Sequence, residues 1–105
     1  MQSAAEFERA RRSKQRLGDA LFLVQRTANG GEGARLGMAV SVRAIGGAVV
    51  RNRVRRLIRE SFRLHRQELP AVDLFVTARE GARKASNAEI RASLARLWQD
   101  IGSER

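Results

Sequence analysis

The sequence contains no cysteine, one histidine, one proline, no tyrosine and only four Phe and one Trp. Each shortage excludes a class of chemistry. Without cysteine there is no disulfide, no thiolate nucleophile and no Cys-ligated zinc, a composition that agrees with a reducing compartment. The single His65 cannot build a two-His metal site. The three aspartates, Asp19, Asp73 and Asp100, are dispersed along the chain, and no glycine-rich loop has Walker or Rossmann spacing. No apolar run approaches the roughly 18 residues of a membrane span, and Met1 to Glu8 lacks a basic segment followed by an apolar one. These absences predict a cytoplasmic protein that binds rather than catalyses.

What remains is a 105-residue chain, 43% hydrophobic, with 21 Lys+Arg against 11 Asp+Glu and a net charge of +10. That length predicts one domain over residues 1–105 with a core of its own. The excess charge calls for an acidic partner. Only Lys14 and Lys84 are lysines, so the other 19 basic residues are Arg. Its planar guanidinium grips phosphate bidentately and stacks on bases, although a GC-rich genome produces the same bias.

The segment from Ala4 to Ser13 is helix-permissive, with Glu6 and Glu8 early and Arg9, Arg11 and Arg12 late, in the order that suits the helix dipole. After Gly18-Asp19, the run Ala20 to Val24 predicts a strand, and Asn29-Gly30-Gly31-Glu32-Gly33 a hairpin turn. The return segment, Leu36 to Arg43, alternates. Leu36, Met38, Val40 and Val42 share one face; Gly37, Ala39, Ser41 and Arg43 share the other. A nearly bare sheet face has two explanations, a helix packed closely upon it or a shallow trough left open for a ligand, with Arg43 at its end.

From Ala48 the chain runs unbroken to Leu69, ahead of Pro70. At 100° per residue, Val50, Val54, Leu57, Ile58, Ser61, Phe62 and Leu69 form one arc. Arg51, Arg55, Arg56, Arg59, Arg63, Arg66 and Asn52 fill the opposite arc, with Arg53 at its edge. Seven Arg against Glu60 give this helix +6 of the chain's +10. Ala71 to Thr77 predicts a further strand, and Ser86 or Asn87 caps a last helix with Ile90, Leu94, Leu97, Trp98 and Ile101 on one face. Phe22, Phe62 and Phe75 read as core, and His65 as a hydrogen-bonded histidine on the apolar side of the basic helix.

An Arg-rich helix face is ordinarily just a solvated surface, but such surfaces interleave acids to limit repulsion. One Glu among seven Arg leaves like-charge crowding that a polyanion relieves. Binding to an anionic membrane would place Trp or Phe on the boundary between the two faces, whereas Phe62 continues the apolar arc. DNA reading by a helix-turn-helix needs a second helix shortly before the first, where the pattern here is a strand. RNA fits best.

The residues Leu36-Gly37-Met38-Ala39-Val40 through Arg43, followed by Val50-Arg51-Asn52-Arg53-Val54-Arg55-Arg56-Leu57-Ile58-Arg59-Glu60-Ser61-Phe62-Arg63, resemble the bacterial ribonuclease P protein family. Gln67 to Asp73 and Leu94 to Trp98 are similar to its proteobacterial branch. The resemblance implies an α/β fold, an α+β sandwich with an N-terminal helix, a mostly antiparallel central sheet, a long basic helix, a further strand and a C-terminal helix. It also implies a left-handed βαβ crossover through the basic helix, against the usual rule.

Its functional implication is an RNA-binding subunit that assists a catalytic RNA in removing the 5′ leader from precursor tRNA, with Mg²⁺ held mainly by the RNA. The expected partners are the ribonuclease P RNA and the leader, with no membrane and no obligate protein partner. Carried over residue by residue, the resemblance puts Arg51, Asn52, Arg53, Arg55, Arg56, Arg59 and Arg63 against RNA. Phe7, Leu23, Gln25 and Arg43 would line a leader-binding trough, which selects the open form of the bare strand face. Arg11 stands where the family commonly has a second aromatic, and Val42-Arg43 where it has a basic pair. Both departures shift the expected balance from stacking toward charge. The alternative from another class is a structural RNA-binding protein, such as a ribosomal protein, which needs no trough.

Overall fold

The computed structural model describes residues 9–31 and 33–103. A helical turn at residues 9–11 (α1) precedes β1 (Arg16–Gly18), β2 (Phe22–Ala28) and β3 (Arg35–Ala39). A second helical turn, α2 (Val42–Ile45), leads into the long helix α3 (Ala48–His65), which ends in a 3-10 turn at Arg66–Glu68. The chain closes with β4 (Val72–Ala78), a short α4 (Gly81–Lys84) and α5 (Asn87–Ser103). The sheet order is β1-β2-β4-β3, with β1/β2 and β2/β4 antiparallel and β3/β4 parallel.

Several sequence expectations change at this point. The glycine turn exists, with φ of +84°, +96° and +83° at Gly30, Gly31 and Gly33, but it does not close a hairpin, because β4 lies between the two strands it joins. The actual hairpin is β1/β2. Its turn is held by Asp19, whose Oδ1 accepts from the amides of Leu21 (2.8 Å) and Phe22 (2.9 Å). Those bonds keep Ala20 and Leu21 out of the strand, which instead runs on through the polar Gln25-Arg26-Thr27. The strand expected up to Arg43 stops at Ala39. Ser41 turns the chain by accepting from the Ala44 amide at 3.1 Å, as the N-cap of α2. Val42 is therefore 62% exposed rather than inward, and neither Ser41 nor Arg43 belongs to the bare strand face.

The core lies on one sheet face. Phe22 and Val24 of β2 and Leu74, Val76 and Ala78 of β4 meet Val54, Leu57, Ile58 and Phe62 of α3, with Ile90, Leu94, Leu97, Trp98 and Ile101 of α5 completing it. The inward arc of the basic helix is the one the 3.6-residue period predicts. A buried polar tie joins the two helices: Trp98 Nε1 donates to Ser61 Oγ at 2.8 Å, beside an edge-to-face contact of Phe62 and Trp98 with centroids 5.9 Å apart. Ser86 begins α5 with a capping box, its Oγ accepting from the Glu89 amide and its own amide donating to Glu89 Oε1. Gly81 is obligatory in a different way, since a Cβ there would lie 2.3 Å from the Ala20 carbonyl oxygen.

Asp73, 4% exposed, is the one buried charged residue among the described residues. Arg35 holds it bidentately at 2.7 and 2.8 Å, and Asn29 Nδ2 donates to it at 3.1 Å. Burial pushes its carboxyl up, but the bonds from Arg35 and Asn29 and the positive charges of Arg35 and Arg9 outweigh this and hold it below the usual range. Asp19 behaves alike: burial raises it, and Ser93, the Phe22 and Leu21 amides and Arg96 together lower it.

Two outcomes follow for stability. Leu57→Ala, at a site 1% exposed, costs roughly 2–5 kcal/mol in denaturant unfolding. Because Asp19 and Asp73 have folded-state pKa values below their unfolded ones, their contribution is present above the ordinary carboxylate pKa and is lost as pH falls through the lowered values. Unfolding free energy therefore declines below about pH 4, and Asp73→Asn shows a weaker acid dependence in the same titration.

Candidate nucleic-acid interface

The basic stripe is a direct product of amphipathicity. With Val54, Leu57, Ile58, Ser61 and Phe62 inward, Asn52, Arg56, Arg59 and Arg63 point to solvent and are exposed, while Arg51, Arg53 and Arg55 are half-buried on the flanks. Arg56, Arg59 and Arg63 make no hydrogen bond or ion pair among the described residues. Past the helix end the stripe meets a hollow of about 310 Å³ lined by Ala34, Leu36, Phe62, Arg63 and Arg66. There Arg66 Nε donates to the Ala34 carbonyl at 2.8 Å.

The Arg-Asn-Arg start of the helix has internal work to do. Arg51 Nε donates to the Gly46 carbonyl at 3.1 Å, fixing the glycine connection ahead of α3. Arg53 Nη1 donates to Asn87 Oδ1 at 2.7 Å and to the Ala85 carbonyl at 3.3 Å, tying α3 to the start of α5. Asn52 Oδ1 accepts from Arg55 at 3.2 Å. The motif is thus a brace as well as a charged surface, a role that residue spacing alone did not suggest.

The second predicted site lies across the sheet from the core. Strand register arranges that face in three rows: Thr27, Asp73 and Arg35; then Arg16, Gln25, Phe75 and Gly37; then Gly18, Leu23, Thr77 and Ala39. The chain at and just after α1 is pinned to this face at Gln25, whose Nε2 donates to the carbonyls of Arg11 (2.6 Å) and Ser13 (3.2 Å), and Ala10 of α1 is fully buried. A helical segment therefore lies against one stretch of this face at Gln25, and the small residues Gly18 and Ala39 lie in the row beyond it. Leu23 is half-buried in the third row. Arg43 sits past that row on α2, exposed, and shares with Ser41, Ala44 and Glu80 a hollow of about 300 Å³. Phe7 lies outside the described residues.

Phe75 departs from its expected core position. It is half-buried and shares its face with Asp73 and Thr77 rather than with Leu74 and Val76. The alternation around Asp73 carried that signal. Among the described residues no three His, Asp or Glu side chains gather where they could hold a metal ion, and no helix is long and apolar enough to cross a membrane.

Known proteins share both the sequence pattern and the fold of this chain. A family model described as Ribonuclease P matches residues 1–102. The ribonuclease P protein component of Thioalkalivibrio sulfidiphilus is 44% identical over 88 residues, 84% of this chain and 73% of that protein. That of Coxiella burnetii is 34% identical over 101 residues, 96% of this chain and 84% of that one. Among solved structures, the RNase P protein of Staphylococcus aureus superposes with a TM-score of 0.85 at 31% identity, over 95% of this chain and 92% of that one. The Thermotoga maritima protein, 24% identical with a TM-score of 0.83 over 96% of each chain, shares the fold.

The bonds separate two kinds of arginine, and the distinction is measurable. Arg56→Ala and Arg59→Ala each flatten the salt dependence of RNA binding by about one unit while leaving thermal stability unchanged. Arg53→Ala lowers the melting temperature instead, because it releases α5, and changes the salt slope less than either of the others.

Proposed function

The chain belongs to the ribonuclease P protein family, and from that premise we propose that it acts between two RNAs, holding the catalytic RNA with the α3 stripe and the leader of precursor tRNA in the sheet trough. As a ribonuclease P component its partner is the ribonuclease P RNA, which sets aside the ribosomal alternative. The observation that carries the proposal is the placement of the two surfaces. The stripe faces outward from the helix layer and the trough lies on the far face of the sheet, so one small domain can touch two partners at once.

In this proposal the RNA carries the cleavage chemistry and the protein has no catalytic site. The dispersed acids support that assignment, as does an α3 surface with one acid, Glu60, among its arginines. Among the described residues no cluster of acids or histidines forms a metal cage, which supports reading the Mg²⁺ that the family implies as held mainly by the RNA. The protein's part is to offset phosphate repulsion as the RNAs approach. Within the trough, Leu23 offers apolar contact and Arg43 charge. Gln25, already committed to the α1 carbonyls, positions the helix rather than reading the leader, and Phe7 is assigned to the trough by resemblance. Arg51, Asn52, Arg53, Arg55, Arg56, Arg59 and Arg63 form the RNA-facing set, with Arg51 and Arg53 sharing their donors with the fold.

The test is reconstitution with the host's ribonuclease P RNA. Adding the protein restores leader cleavage at low Mg²⁺, and the holoenzyme binds leader-bearing precursor tRNA more tightly than mature tRNA. Arg43→Ala, alone and combined with Phe7→Ala, narrows that difference while assembly with the large RNA stays nearly intact. An unchanged preference in a folded double variant would remove the trough from the proposal.

A further inference from the structure

A large aromatic side chain on the non-core face of a sheet needs a reason. Phe75 occupies the middle of that face, on the central strand β4, with Gln25 opposite it on β2 and Gly37 opposite it on β3. It stays half-buried, whereas Leu74 and Val76 on either side of it are fully buried. Gly37 contributes no side chain, so the ring is not matched from β3 as cross-strand pairs usually are. Along β4, its same-face neighbours are Asp73 and Thr77.

The charge around the ring favours an anionic ligand. Arg16 belongs to the same row, and Arg43 is exposed past the end of the trough. Among the described residues, the one acid that the strands place on this face, Asp73, is already held by Arg35 and Asn29, and Glu80 shares the hollow at Arg43 without an ion pair to it. An apolar ring on a sheet face that carries Arg16 in the same row and Arg43 past its end suits single-stranded RNA, whose bases stack on sheet aromatics while arginines meet the phosphates.

We propose that Phe75 is a stacking platform for one unpaired base of the RNA leader and a determinant of how tightly the leader is held. This rests on the trough assignment made above. The competing role is structural: the ring covers the Gly37 backbone, as aromatic residues do for sheet glycines. That role would leave RNA binding unmoved.

The test uses the reconstituted holoenzyme with Phe75→Leu, which keeps the apolar bulk and loses the π face, and Phe75→Tyr, which keeps the ring. Loss of one stacked base predicts about five- to tenfold weaker binding of precursor tRNA for Phe75→Leu. Mature tRNA affinity stays the same, and Phe75→Tyr behaves as wild type. Abasic substitution along the leader finds one position where the wild type loses a similar factor and Phe75→Leu loses no more, the signature of a shared contact. In the unaltered holoenzyme, a 4-thiouridine leader photocrosslinks to the β4 peptide, a readout that needs no variant to fold. Unchanged precursor selectivity in a folded Phe75→Leu protein, or crosslinks that never reach β4, would overturn the assignment of Phe75 alone. A wild-type holoenzyme with no preference for leader-bearing tRNA would overturn the trough assignment beneath it.

Discussion

Parallel pairing of β3 with β4 requires the chain to leave the end of one strand and return to the start of the other, a path that takes a crossover of a dozen residues or more. Here α2 and α3 fill that path. The crossover helix must lie on a sheet face, and an 18-residue helix spans far more surface than a connection of this kind strictly needs. Once Val54, Leu57, Ile58 and Phe62 are committed to the sheet, the remaining arc of α3 has to face solvent along its whole length. The insertion of β4 between β2 and β3 therefore fixes the direction in which the arginines point. α5 packs beside α3 on the same face and is locked to it by the Ser61–Trp98 bond, so the opposite face is left to the small residues of β3 and the α1 turn.

Concentrating so much charge on one helix works against folding unless something offsets it. Part of the offset is internal. Arg51 and Arg53 donate to backbone carbonyls and to Asn87, spreading their charge into loop dipoles that would otherwise need water. Among the described residues the ion pairs lie elsewhere, Arg35 of β3 with the buried Asp73 and Arg96 of α5 3.4 Å from Asp19, and do not touch the α3 arginines. Exposed ion pairs of that last kind contribute at most about 1 kcal/mol, and Arg56, Arg59 and Arg63, unpaired among the described residues, remain a local excess on α3. Their charge is available to a partner without first breaking an internal bond.

The sequence was most informative where a period extends over many residues. The inward arc of α3, the buried stripe of α5 and the strand near Ala71 were legible because their repeats are long, and the Arg-Asn-Arg segment carried the family. It was least informative where pairing partners or side-chain caps decide the outcome. The three residues of β1 show no period and exist as a strand because β2 pairs with them. Ser41 reads equally well as a strand residue or as a cap, and the geometry of α2 resolves it. The glycine cluster indicates a turn but not which strands adjoin it; that depends on β4, some forty residues later. Phe75 looked apolar enough for the core, and only its register with Asp73 places it on the other face.

On the proposed function, the two faces of the molecule meet different recognition problems, and their compositions differ. A large folded RNA presents a phosphate surface of fixed shape, which a rigid helix carrying arginines on successive turns can meet at several points without reading bases. A single-stranded leader has no fixed shape, so it is held best where its ordering is rewarded by stacking and nearby charge together. The stripe has charge and no aromatic ring. The sheet face has a ring and small neighbours, with Arg16 in the ring's row and Arg43 past its end. The longest dimension of the described structure is 36 Å, so on the proposed function surfaces on its opposite sides stay close enough for both partners to bear on one cleavage site. On the proposed function, the crossover that aims the arginines outward is also what leaves the other face of the sheet free for the substrate.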